Sequence, residues 1–182
     1  MVIWHTAMSL DGFISGPDDA MEWVFESSEP GPDPALEETI AGIGALLVGK
    51  RTYGVGGKQG QVEEATKPYG GAWSGPQFVL AHDPQPVAND PDVTFLSGDI
   101  GEAVATAAAA AAGKDVVVLG ANVARQCLEA GLVDEILIHL APVLLGDGVR
   151  LFERPAGAPV KLEKIEVAES GQTTQLRFRV AG

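Results

Sequence analysis

Apolar positions change their period several times along the chain, and each change marks an element. Residues 2–10 (VIWHTAMSL) are mixed apolar and β-prone and stop at Asp11-Gly12, which predicts a first strand ending in a turn. FISGPDD follows as a brief extended piece closing on Gly16-Pro17. Residues 18–34 are acidic and rich in proline, with Trp23 and Phe25 interleaved, and read as a long connection or one short helix. DPALEETIAGIG (33–44) carries an Asp N-cap, Pro34 in the first helical position and Glu37 and Glu38 in the first turn. That helix sets Leu36, Ile40 and Ile43 on one face. ALLVG (45–49), QFVLAH (77–82), DVTFLSG (92–98) and DVVVLG (115–120) are short apolar runs of the kind found in strands buried on both faces. Residues 50–75 read as glycine-rich and irregular, with little core material before Tyr69 and Trp73. DIGEAVATAAAAAAG (99–113) predicts a helix with an Asp cap and a terminal glycine, its small faces suited to packing on a sheet. A further helix over 122–130 ends at Gly131, with Leu132-Val133 folding back as the hydrophobic contact of the cap. DEILIHLAP (134–142) alternates as a strand between two environments, and VKLEKIEVAES and TTQLRFRVAG flank Gly171-Gln172 as an antiparallel hairpin.

Strand–helix alternation closed by a hairpin predicts an α/β fold in three α/β/α layers. Its mixed sheet is mostly parallel with a C-terminal antiparallel hairpin, in one domain over 1–182. Ligands of such sheets sit beyond the carboxyl ends of the strands, where the amides of the following helices point outward. GKRTY after strand 45–49, AHDPQ after 77–82 and GANVARQ after 115–120 therefore fall together. The Gly120-Ala121-Asn122 turn has two readings. It is a tight turn that needs glycine for its dihedrals, or a bare helix start whose amides meet a phosphate, with Asn122 capping the helix or binding a ligand oxygen.

The formal net charge of −13 argues against a nucleic-acid partner or an anionic membrane, both of which need a basic face. It leaves room for a small anion held by local donors, for which Lys50, Arg51, Lys58, Lys67 and Arg125 are the candidate cations. The one cysteine, Cys127, excludes an intramolecular disulfide and a multi-cysteine metal site, and its apolar neighbours suit a core position. No metal centre is expected. No apolar run reaches the ~20 residues needed to span a bilayer, and the N-terminus lacks the basic region of a signal peptide. A cytoplasmic location is the expectation.

Taken together, SLDGFISGPDD (9–19), LLVGKRTY (46–53), FVLAHDP (78–84), residues 116–152 and the closing hairpin resemble the dihydrofolate reductase superfamily. The branch they are most similar to is the RibD C-terminal type, related to the reductase domain of riboflavin biosynthesis. The resemblance implies a dihydrofolate-reductase-like sheet, a reduced nicotinamide dinucleotide as cofactor, usually NADPH, and a homodimer. It implies that Gly49, Lys50, Arg51 and Thr52 hold phosphates at one helix start and that Leu80, Ala81 and His82 border the adenosine. Gly120, Ala121, Asn122 and Val123 would line the pyrophosphate and nicotinamide, with Ala7 and the Ser9–Gly12 loop against the nicotinamide and the second substrate. Asp83 beside His82 departs from a favourable anion site, and Ala121 replaces the second glycine of the folate reductases.

Folate reductases place a buried carboxylate three residues before a helix tryptophan; here Ala20 precedes Trp23 at that spacing, which argues against true dihydrofolate reduction. Asp11 is then the candidate polar contact for a substrate, with Ser9 beside it, against its other reading as a turn-forming residue. Trp23, Phe25 and Trp73 suit either stacking on a planar ring or core packing. The function this implies is NADPH-dependent reduction of a small pterin-, flavin- or pyrimidine-like substrate, with 5-amino-6-(5-phosphoribosylamino)uracil reduction as one form of it. A ligand-binding protein without catalysis is the alternative. PVLLGDGVRLF (142–152) is expected near the dimer contact or the substrate mouth.

Overall fold

A computed structural model describes residues 1–27, 33–58, 67–83, 91–153 and 157–181 of the chain. In chain order these form β1 (Val2–Ser9), β2 (Phe13–Ser15), α1 (Glu22–Glu26), α2 (Pro34–Gly42), β3 (Ile43–Gly49) and α3 (Lys50–Lys58). There follow β4 (Gln77–Leu80), β5 (Val93–Leu96), α4 (Ile100–Ala110), β6 (Asp115–Leu119) and α5 (Ala121–Glu129). The chain then closes with β7 (Glu135–Ala141), β8 (Val149–Arg150), β9 (Leu162–Ser170) and β10 (Thr173–Val180).

Three of the short apolar runs become the inner strands β3, β4 and β6 because both faces of the sheet are covered, whereas the fourth forms the edge strand β5, half-buried or exposed, which corrects its reading as buried on both faces. Among the described residues one eight-stranded sheet runs in the order β5-β4-β3-β6-β1-β7-β10-β9. Neighbours from β5 to β7 are parallel, and β10 pairs antiparallel with both β7 and β9. On one face Trp4, Leu47, Val118 and Ile136 pack beneath α4 and α5, which contribute Ala103, Ala107, Val123 and Cys127. On the other, Ile3, Leu46, Val48, Val117 and Leu137 meet Tyr53 of α3 together with Tyr69 and Trp73. This is the expected mostly parallel sheet with helices on both faces and a terminal hairpin.

Caps fix the helix ends where the sequence puts them. Asp33 Oδ1 accepts from the Leu36 N–H at 3.0 Å and Asp99 Oδ1 from the Gly101 N–H at 2.7 Å. At the end of α5 Gly131 takes φ +69°, its N–H donates to the Leu128 carbonyl, and Leu132 N–H reaches back to Cys127.

Two helix expectations are corrected. Residues 50–58 are helical rather than irregular: Tyr53 anchors α3 edge-on to Phe95 with ring centroids 5.7 Å apart, and that packing overrides the low helix propensity of Gly54, Gly56 and Gly57. Helix α2 stops at Gly42, and Ile43 starts β3 inside the core instead of completing a helix face. The 142–152 segment contains β8, which pairs antiparallel with β2. The side chain of Lys58 and residues 59–66 and 84–90 lie outside the described part. No described helix is long and apolar enough to cross a membrane.

Candidate functional site

Strands β3 and β6 are parallel neighbours, with Val48 opposite Leu119, so the helices that follow them begin side by side. At Gly120 the backbone takes φ +89° and ψ +141°, a region that only glycine enters readily. A Cβ on Gly120 would also collide with Thr52 Oγ1, and one on Gly49 would stand 3.1 Å from Val123 Cγ2. The bare turn is therefore bare for two reasons: its dihedrals demand glycine, and Thr52 of α3 leans over it. No side chain caps α5. The exposed amides of its first turn and the positive end of its dipole face the same space as the start of α3. Asn122 is not the cap: its Oδ1 accepts from Arg125 at 3.2 Å, and Arg125 also bonds Glu129 at 2.9 Å. Arg51 is held by Asp19, its Nε donating to Oδ1 at 2.7 Å.

These helix starts open into a cavity of about 1130 Å³ that runs along the carboxyl ends of the strands. That is a little above the ~300–1,000 Å³ usual for one small ligand. Leu80, Ala81 and His82 border it at one end. Gly49, Lys50, Arg51, Thr52, Gly120, Ala121, Asn122 and Val123 follow, and then Ala7 on β1. Trp23 and Phe25 of α1 wall the other end, where His139 and Ala141 of β7 and Asp33 at the start of α2 lie. A second hollow, about 760 Å³, lies by Met1, Asp134 and Arg179 at the opposite ends of the strands, where α5 finishes and no helix begins.

Ser9 and Asp11 are not among the residues bordering the cleft. Ser9 is fully buried; its hydroxyl donates to Asp11 at 2.6 Å and accepts from the Phe13 N–H. The Asp11 carboxylate also accepts from the amides of Leu145 and Gly146, at 3.1 and 2.7 Å. These bonds, the Ser9 hydroxyl foremost, hold its carboxyl down at about 2. Asp11 thus clasps the 144–146 loop to the end of β1, in keeping with its reading as a turn-forming residue.

What the sequence did not single out lies on the floor of the cleft. Asp33, read only as a helix cap, puts its carboxylate on the cavity wall, where Gln175 Nε2 donates to both oxygens at 3.0 and 3.1 Å. It stands ten residues after Trp23, not three before, so no spacing rule pointed to it. His5 and His139 sit 4.8 Å apart by ring centroids, and His5 Nδ1 is 2.7 Å from the Tyr69 hydroxyl. Burial pushes the His5 imidazole down to about 3, helped by His139 and Arg177. His139 is also lowered by burial, with the Asp33 charge acting in the opposite direction. Beneath them Arg177 pairs with the buried Glu135 at 2.7 Å.

With this geometry in hand, known proteins give it a context. The Bacillus subtilis (strain 168) protein YyaP, itself uncharacterised, is 26% identical over 156 residues, covering 83% of this chain and 79% of its own. A putative riboflavin biosynthesis protein from Shewanella sp. PV-4 superposes over 100% of this chain and 99% of its own, with a TM-score of 0.82 and 22% identity. Enterococcus faecalis dihydrofolate reductase, solved in complex with NADP(H) and RAB-propyl, superposes over 100% of this chain and 97% of its own with a TM-score of 0.59 and 13% identity. The fold is thus that of dihydrofolate reductase. The RibD C-terminal domain model matches residues 1–176, nearly the whole length, and the chain accordingly belongs to the RibD C-terminal domain family.

Proposed function

We propose that this protein is an NADPH-dependent reductase of a small heteroaromatic substrate. The observation that carries the reading is the single cleft that joins two adjacent helix starts at one end to a carboxylate and imidazole floor at the other. Its reductase-like family supports the same reading.

The residues present fit the cofactor. Gly49 and Gly120 let the starts of α3 and α5 pack against each other, with Val123 and Thr52 in the space a side chain would take, and the amides of Thr52, Ala121, Asn122 and Val123, which border the cleft, suit phosphate oxygens. Lys50 adds a cation there, while Arg51 must be shared with Asp19. Leu80, Ala81 and His82 suit the adenosine end, and the small side chain of Ala7 leaves a flat ring room against the sheet. When bound, the reduced nicotinamide supplies a hydride. The protein's own part is to fix the two rings face to face, exclude water with Trp23 and Phe25, and hold the substrate's polar edge at Asp33. Asp33 puts a carboxylate in the cleft, which supports turnover over ligand binding alone.

Titration with NADPH, NADP and NADH, followed by fluorescence or heat, tests this first. Saturable NADPH binding is expected, followed by oxidation of NADPH with at least one pterin, flavin or pyrimidine, the phosphoribosylamino-uracil included. Absence of saturable dinucleotide binding would sink the proposal. Binding without turnover across the panel would favour the ligand-binding alternative. We further infer a homodimer, for which light scattering of the purified protein should give twice the mass of the chain. Val149 of β8 borders the cleft, in keeping with a role of the 142–152 segment at the substrate mouth.

A further inference from the structure

Among the described residues three buried side-chain nitrogens lack a hydrogen-bond partner: Nε1 of Trp4, Nε1 of Trp23 and Nε2 of His139. Trp4 lies in the apolar core beneath α4 and α5, whereas Trp23 and His139 both border the cleft. Buried polar groups in native proteins are nearly always satisfied, so an orphan on a cavity wall points to a partner that a ligand brings. Two such orphans on one cavity, from different elements, make the case stronger than either alone.

The position of His139 assigns it to one half of the cleft. In the sheet it stands opposite Ala7 of β1 and opposite Gln175 of β10. The helix starts of the dinucleotide half lie on the other side of β1, after β3 and β6. Its ring is tilted 46° against His5, which the Tyr69 hydroxyl holds in turn. The titratable groups packed around it are His5 from β1, Asp33 from α2, Tyr69 from the 68–71 turn, and the Arg177–Glu135 pair of β10 and β7. Burial keeps both imidazoles neutral at neutral pH. A neutral imidazole carries one N–H and one lone pair, so Nε2 can meet either a carbonyl or a ring N–H according to tautomer.

We propose that His139 is a substrate-binding residue whose Nε2 hydrogen-bonds the polar edge of an uncharged, unphosphorylated planar heterocycle, with the Trp23 indole N–H taking an acceptor of the same molecule. The inference rests on the reductase reading and narrows its substrate class. Asp33 borders this half of the cleft, whereas the lysine and arginine that line it among the described residues, Lys50 and Arg51, stand at the start of α3. A phosphate on the substrate would meet a carboxylate instead of a cation.

The test uses the intact protein with its histidines labelled in the ring nitrogens, with and without NADP, titrated with lumazine, riboflavin and FMN. Lumazine or riboflavin should shift the His139 Nε2 resonance, and FMN should bind at least about ten-fold more weakly than riboflavin. His139→Phe should weaken the bound heterocycle roughly ten-fold, the loss expected for one buried hydrogen bond, and His139→Gln should recover part of it. NADP affinity should be unchanged in both variants. The proposal is overturned if no heterocycle perturbs His139, if His139→Phe binds as tightly as the parent, or if FMN binds as well as riboflavin. Loss of NADP binding by the parent protein overturns the reductase reading instead, and a separate titration reads it.

Discussion

Single residues set the shape of the cleft, and Gly120 sets the most. Its φ of +89° and the Thr52 hydroxyl above it leave no room for a side chain. Gly120→Ala should lower stability by about 1–3 kcal/mol, measured by denaturant melts, because both the dihedral and the contact are violated. It should also weaken NADP binding, because Thr52 must move. His5 offers a second handle. Its imidazole titrates at about 3 in the fold against an ordinary 6.5, so between those values the unfolded chain binds the extra proton. Stability is therefore full above pH 6.5 and falls as the pH drops toward 3, by on the order of 5 kcal/mol for this group. His5→Phe should flatten that slope in urea melts taken across the window. The lowered carboxyl of Asp11 acts in the same direction but only below its ordinary 3.8, so the two contributions separate by pH.

Elements were legible where one local rule governs them and illegible where a distant partner does. The caps at Asp33 and Asp99, the parallel strands and the terminal hairpin all follow from patterns within a dozen residues. Helix α3 does not, since its glycines disfavour it locally and its packing on the sheet, with Tyr53 against Phe95, comes from residues distant in sequence. Pairing of β2 with β8 spans more than 130 residues and leaves no periodic trace. The same division runs through the site. Glycines and the helix-start stretches stood out, whereas His5 and His139 gave no local signal, because only the sheet register sets them side by side. At this scale the start of α3 makes its own prediction. Thr52→Ala should weaken NADP binding by about 1–3 kcal/mol if its hydroxyl and position serve a phosphate. Asp19→Asn should strengthen binding at low salt, since it releases Arg51 from its 2.7 Å bond. Unchanged affinity in both variants, read by calorimetry, would place the phosphates elsewhere.

At the scale of the whole molecule, the sheet acts as a divider: one side of β1 collects helix starts, the other collects polar side chains from β7, β10 and the cap of α2. Nothing in composition announced that division, because a net charge of −13 speaks of the surface and not of the cleft. The molecule's sole thiol, Cys127, sits on α5 and is fully buried in the core against the sheet, with its ionisation pushed up to about 12. A thiol-specific chromogenic reagent should then find nothing to react with in the native protein and one equivalent once it is denatured. The chain thereby comes ready-made for single-site spectroscopy. A cysteine placed at Phe25, already 56% exposed on the rim of the cleft, would accept a dye without removing the native sulfur, and the emission of that dye would report each molecule entering or leaving.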